Sequence, residues 1–307
     1  MGGTTRNNQG SNVLQTWLQR EVLMNLDPDL FFYSLGKKGK KAGYNTIAWA
    51  KFTKLAASDV TTGADTDDGT TPTAVGIVSS TVSVTAVQYR ITATISDMVA
   101  ELNVIDYVKG AAERIGQALA LKIDAVIQGV IMAGTNVLYG GSAAARTALG
   151  AGDKLTAALL VKAGSFLEGK AARKIDGYWA AFIHPFQAYD LRVETGTGNW
   201  LETNKYVTND KIMKGEIGAL GGVRVAVAPY IQTFTSTVTV YPAIVMGADA
   251  YGVGEFQTLQ SYLVPATPSD SDPLAQRTKV SSKIAFAAVI LEEDAMVRIE
   301  TSATLLF

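Results

Sequence analysis

The chain has no cysteine among its 307 residues. Disulfide scaffolds, thiolate metal sites and cysteine nucleophiles are therefore excluded. Histidine occurs once, at His184, so a multi-histidine metal centre cannot form. Charge is scarce as well: Asp, Glu, Lys and Arg make up 18% of the residues, against roughly 25% in soluble globular proteins. The formal net charge of −1 argues against a dedicated polyanion binder, which is usually strongly basic. No apolar run approaches the roughly 20 residues needed to cross a bilayer. The longest, Ile284 to Leu291, is of strand length. The first residues lack the apolar core of a signal peptide, and Arg6 stands where the myristoylation pattern needs Ser or Thr. A product made and kept in a cytoplasm until assembly is expected.

Apolar residues are plentiful, at 48%, and the mean hydropathy is +0.15. The length allows two modest domains, or one core with large excursions. Two readings of the charge-poor surface stand side by side. Thr, Ser, Asn and Gly provide solubility, or neighbouring subunits cover much of the surface, since packed interfaces are depleted in Lys, Glu and Asp.

Residues 1–12 are polar and read as an arm. Val13, Leu14, Trp17, Leu18 and Val22 follow helical spacing up to Asp27-Pro28. A loop with the basic run Lys37 to Lys41 follows. Thr46 to Leu55 reads as a strand, and residues 56–76, rich in Thr, Asp and Gly, as a mobile tip. In the return strand Val82, Val84 and Ala86 alternate with polar residues, then Tyr89, Ile91, Ala93 and Ile95 do. The parity switches at Ala86-Val87, which predicts a β-bulge inside a hairpin of about fifty residues spanning 46–95. So long a hairpin with few large apolar residues is barely stable alone and must lean on something.

Ser96-Asp97 supplies an N-cap. Val108, Ala112, Ile115, Leu119, Ile123, Val126 and Val130 then predict a long helix over 97–133. After a Gly- and Ala-rich link (134–154), a helix is expected over 155–172 and a strand over 178–183. His184-Pro185 opens a short helix through Leu191. Val223, Val225 and Val227 mark a strand ending at Pro229, and Val238 and Val240 another. Ile284 to Leu291 reads as a buried strand and Glu292-Glu293-Asp294 as a turn. Val297, Ile299 and Thr301 return with Arg298 and Glu300 expected to point outward. There is no internal repeat.

The candidates for chemistry are thin. Gly164-Ser165-Phe166-Leu167-Glu168-Gly169-Lys170 approaches a phosphate-binding loop, but Ala171 replaces the required Ser or Thr and the segment lies within a helix pattern. His184 before Pro185 reads as a helix-opening residue ahead of a general base. Asp65 to Gly69 resembles the start of a calcium loop, yet its glycine comes one position early and Gly76 stands where the bidentate Glu belongs, so a solvated tip is the plainer reading. The Lys37–Lys41 cluster is a solvated loop or a phosphate contact, without aromatic platforms for bases. No Gly-x-Ser-x-Gly elbow is present. No catalytic, cofactor-binding or metal-binding residue is assigned, and no cofactor is expected.

An N-terminal arm, an extended hairpin, a long helix, a mixed domain and returning strands together resemble the Hong Kong 97 type capsid fold. Local stretches resemble its Enquatrovirus-type coat protein branch: Gln88 to Thr92 with Ile95-Ser96-Asp97, Ile217 to Val225, Gly247 to Gly252, Asp272 to Arg277, Lys283 to Leu291, and Met296 to Glu300. Arg90 departs from the glycine of that pattern, and Ser282 from its aromatic. The resemblance implies an α+β fold with an N-terminal arm (1–45), an E-loop hairpin (46–95), a spine helix and peripheral domain (96–154), an axial domain (155–280) and returning strands of the peripheral domain (281–307). It implies a non-enzymatic major capsid protein of a tailed bacteriophage, forming hexamers and pentamers of an icosahedral shell around double-stranded DNA. Portal, scaffolding and decoration proteins would be partners, and the virion its location after synthesis in a bacterial cytoplasm. No lysine–asparagine pair matches the crosslink of some relatives. An encapsulin-like compartment and, more distantly, a small α+β hydrolase are the rival readings.

Overall fold

The computed structural model describes Leu18, Arg20, Val22 and residues 32–43, 45–52, 55, 59–60, 74–98, 107–195, 216–268 and 272–305. The polar arm (1–12), the Asp65–Gly69 segment and most of the hairpin tip lie outside these residues.

The described strands form three sheets. In chain order they are β1 (Lys37–Lys38), β2 (Lys40–Lys41), β3 (Thr46–Phe52), β4 (Ser79–Thr85), β5 (Val87–Ser96), β6 (Val137–Tyr139), β7 (Trp179–Ile183), β8 (Glu216–Leu220), β9 (Val223–Val227), β10 (Phe234–Thr235), β11 (Thr239–Met246), β12 (Tyr251–Val264), β13 (Arg277–Ile290) and β14 (Met296–Thr301). The helices are α1 (Tyr107–Ile131), α2 (Ala157–Gly169) and α3 (Pro185–Val193). One sheet runs β1-β12-β13-β5, another β6-β14-β11-β7-β9-β8 with β10 beside β11, and the third β2-β3-β4.

Helix α1 spans about 37 Å at 1.5 Å per residue. Its buried residues step 115, 119, 123, 127, 131, so the apolar stripe ends on Ile127 and Ile131, not on the expected Val126 and Val130, which are half-buried. This face lies on β5 and β13, in a core shared with Ile95, Val280, Ile284 and Phe286. Buried polar groups hold the helix in place. Asp124 accepts the Phe32 amide (3.3 Å), while Gln128 accepts from the Gln232 amide (2.9 Å) and donates to the Tyr230 carbonyl (3.2 Å). Asp97 and Met98 are helical, but 99–106 fall outside the described residues, so the expected helix over 97–133 is seen from Tyr107.

The second core packs α2 and α3 on the larger sheet through Leu160, Leu167, Leu191, Val225, Val245 and Ile299. A two-residue turn, Gly221-Gly222, joins β8 to β9 with φ of +58° and +78°. Positive φ at both central residues is what this hairpin turn requires, and glycine takes it without strain.

Four sequence expectations change. There is no bulge at Ala86-Val87. Instead the chain leaves one sheet for another: β4 pairs β3 from Ser79 to Thr85, and β5 pairs β13 from Val87 to Ser96. Each strand keeps its own alternation, so the parity resets where buried Ala86 hands the chain over, its amide held by the Asn45 carbonyl (3.0 Å). The hairpin proper therefore ends at Thr85. The basic loop is also not a loop: Lys37–Lys38 pair in parallel with Gly252-Val253, and Lys40–Lys41 pair with β3. The 134–154 link contributes β6, which pairs in parallel with β14. Finally, Glu300 points inward and is fully buried, because β14 lies between β6 and β11 and is covered on both faces.

Candidate assembly surfaces

The hairpin carries a gradient of burial. At its root Ile47 and Trp49 are buried in a small cluster with Ala86 and Ala287. They sit on a bed of glycines: a Cβ at Gly252 would lie 2.5 Å from the Trp49 ring, and one at Gly254 or Gly39 would come within 2.6 Å of Ile47. Trp49 Nε1 donates to the Lys37 carbonyl (2.9 Å). Beyond Trp49 the side chains are open, with Phe52 67% exposed, Ile77 69% and Val78 64%. The outer half of the hairpin thus presents apolar side chains that the described residues leave uncovered.

A groove of about 440 Å³ separates the hairpin from the body. Ion pairs bridge its walls: Lys51–Glu292 at 2.6 Å, Lys170–Asp294 at 3.1 Å, and Asp249 shared between Lys37 (3.4 Å) and Arg173 (3.6 Å). Of these exposed pairs Lys51–Glu292 ties the hairpin to the body, and it sets position more than stability, since surface pairs are worth about 0–1 kcal/mol each. The groove holds neither a histidine nor a serine to act as nucleophile.

The chemical candidates occupy structural positions. The Gly164–Lys170 segment lies in α2 up to its C-cap, and a Cβ at Gly164 would meet the Gly221 carbonyl at 2.9 Å, so this glycine lets the helix approach the sheet. His184 is the N-cap of α3. Its Nδ1 accepts the Phe186 amide (3.2 Å), and Gln187 Oε1 accepts the His184 amide in return (3.0 Å). Burial against Phe186 and Tyr241 lowers its pKa and favours the neutral ring that can accept. Lys38 lies 3.5 Å over the Tyr33 ring, and Tyr33 donates to Glu255. Burial chiefly, with help from Glu255, raises the Tyr33 pKa; burial lowers that of Lys38, opposed by Glu255. These contacts stitch the lysine run to β12. Among the described residues no cluster of three or more His, Asp or Glu is placed to hold a metal, and no helix is long and apolar enough to cross a membrane.

Sequence reasoning missed the Arg146–Glu300–Arg298 cluster. Arg146 binds Glu300 through two bonds, of 2.8 and 2.6 Å, and its guanidinium lies 3.8 Å over Phe234. Arg298 Nε is 2.7 Å from the same carboxylate but poorly aligned for a hydrogen bond, so that contact is Coulombic. Arg298 also donates to the Met132 carbonyl just past α1. No local pattern in the sequence signals a pairing across 154 positions.

This mixed fold, with a long helix and the hairpin root both packed on the β1-β12-β13-β5 sheet, is similar to that of phage capsid proteins of known structure. It matches the capsid of Ralstonia phage GP4 with a TM-score of 0.70 at 15% identity, covering 91% of this chain and 93% of that one. It matches the Cyanophage Pam1 capsid asymmetric unit at 0.64 and 15% identity, covering 91% and 92%. The virus-like particle from Pyrococcus furiosus matches at 0.56 and 10% identity, covering 93% and 99%. No family model matches the chain, and no curated protein does.

Proposed function

We propose that this chain is the major capsid subunit of a tailed bacteriophage, of the Hong Kong 97 type and its Enquatrovirus-type branch. The observation that carries the reading is the hairpin: its root is anchored in the body, while its outer half exposes Phe52, Ile77 and Val78. Isolated apolar side chains on a surface need no explanation, but a projecting two-stranded ribbon lined with them does. A neighbouring subunit is the simplest cover. The near-complete coverage of phage capsid subunits supports the same reading. In this account residues 1–45 are the arm, 46–85 the E-loop hairpin (in place of the 46–95 expected from the sequence), 96–154 the spine helix and peripheral domain, 155–280 the axial domain and 281–307 returning strands of the peripheral domain. The chain acts without catalysis, forming hexamers and pentamers of an icosahedral shell around double-stranded DNA, with portal, scaffolding and decoration proteins as partners. It is made in the host cytoplasm and ends in the virion.

The likeness to the Pyrococcus particle favours one second reading, a protein compartment. Content separates the two. Particles purified from infected cells should hold nuclease-protected double-stranded DNA. Particles filled with a single co-purified enzyme and no DNA would replace the viral reading by the compartment.

A further inference from the structure

Residues 32–41 form a strap that ties α1, β12 and the hairpin together. At its start Phe32 is fully buried, its ring 4.9 Å from that of Phe182. The Phe32 amide donates to Asp124 of α1 (3.3 Å), and its carbonyl accepts from the Tyr251 hydroxyl (2.5 Å). Tyr33 donates to Glu255, and Lys38 Nζ donates back to the Tyr33 carbonyl (2.9 Å), closing the turn between them. Then β1 lies beside β12 and β2 beside β3, with only Gly39 between the two strands. From the hairpin Trp49 donates to the Lys37 carbonyl (2.9 Å). The strap is pressed against both neighbours: a Cβ at Gly36 would lie 2.6 Å from Val253, and one at Gly39 2.5 Å from Trp49.

The hairpin joins the body at two crossings, and they are unequal. On the return side the chain enters β5, whose ten residues pair with β13 along their whole length. On the entry side β1 pairs with β12 at two positions only. So short a ladder holds little by itself, and the side chains of Asp124, Tyr251 and Glu255 decide where the strap lies. One residue spans about 3.3 Å in a strand, so Gly39 leaves no slack between β1 and β2. A displacement of β1 along β12 must carry β2, and with it β3 and β4.

We propose that the strap is a linkage through which the seating of Phe32 on α1 sets the direction of the hairpin. Displacement of the chain ahead of Phe32, where Leu18 and Val22 are buried in the same core, reaches the hairpin as a tilt about the fixed crossing at Ala86. Asp124, Tyr251 and Glu255 are its positioning residues. The linkage is internal to one subunit and does not depend on the shell reading.

A distance measurement tests it. Because the chain has no cysteine, T81C/K162C places one spin label on an exposed site of β4 and one on an exposed site of α2. Labelled full-length chains, diluted into unlabelled ones, are compared with the same pair in a Y33F/Y251F background. That background removes two strap bonds and keeps both rings. The parent should give a narrow distance distribution, and the strap variant a shifted or broadened one. Hydrogen exchange in β3 and β4 should quicken about tenfold, the order expected for losing hydrogen bonds of this kind, while α2 stays as it was. From the other end, Trp49→Phe should quicken exchange at 33–38, since coupling is reciprocal. Glu300→Ala weakens the body elsewhere and should leave the label distance unchanged. An unchanged distance in folded Y33F/Y251F overturns the proposal. So does exchange that quickens equally in α2, which reduces the strap bonds to general stability. If the double variant does not fold, Tyr33→Phe alone is read by the same two criteria. Failure of the parent to form shells leaves both criteria in force and counts against the proposed function alone.

Discussion

Glu300 and His184 show how side chains that look available for chemistry are consumed by structure. Glu300 is fully buried between two arginines, and Arg298 is itself nearly enclosed. Removing one partner of such a cluster leaves uncompensated charge in the interior, which costs about 3–5 kcal/mol. Glu300→Ala is expected to lower the stability of the subunit by that order, read as a shift in the denaturant midpoint at unchanged slope. His184 makes the opposite use of burial, since its neutral ring accepts the first free amide of α3. Its pKa in the fold is depressed, so the folded state resists a proton that the unfolded chain accepts near pH 6.5. Its contribution is therefore full above that pH and lost as pH falls through the folded pKa. His184→Asn keeps a good N-cap and removes the titration. The melting temperature of this variant should fall less than the parent's between pH 7 and pH 5, a range set by the unperturbed histidine pKa of about 6.5.

Among the elements, legibility followed the range of the interactions. Helix α1, helix α3 with its His184-Pro185 opening, and the apolar second half of β13 from Ile284 were readable because 3.6-residue periods, capping signals and short apolar runs are local, whereas the first half of β13, Arg277–Lys283, was not. The change of sheet at Ala86 was visible only as a break in parity. A bulge breaks parity in the same way, and only knowledge of the partner strand, β13, distinguishes the two. The lysine run misled for a similar reason: its strands exist because β12 and β3 lie beside them. The outward set of β5 was legible in Arg90, Thr92 and Thr94, but the lysines opposite were not. Both ends of the Gly247–Gly252 stretch are glycines because the space at each excludes a side chain. A Cβ at Gly247 would lie 2.4 Å from the Arg173 carbonyl, and one at Gly252 would enter the Trp49 ring. Overpacking of this kind costs about 1–3 kcal/mol. Gly252→Ala should displace Trp49 and loosen the hairpin root, seen as faster proteolysis between Thr46 and Thr85 with little change at α2.

At the scale of the molecule, the body and the projection obey different rules. Two apolar cores enclose α1, α2 and α3 against their sheets and satisfy the body by itself. Among the described residues the hairpin is buried at its root, in the Ile47–Trp49 cluster, and held there by the exposed Lys51–Glu292 pair. A chain so built gains from association by covering apolar surface that its described residues leave open, and under the proposed function repeated contacts between identical copies would close a symmetric shell. The low charge content of the sequence fits a surface largely shared with neighbours. The body should therefore survive loss of the projection while assembly does not.

Sedimentation with negative-stain microscopy of the purified full-length chain, beside a variant lacking residues 56–76, tests this most directly. The account predicts uniform polyhedral particles from the parent and a folded, soluble, non-assembling subunit from the deletion. A parent that stays a single folded chain of 32.5 kDa at high concentration, or a deletion that still closes normal shells, would contradict it.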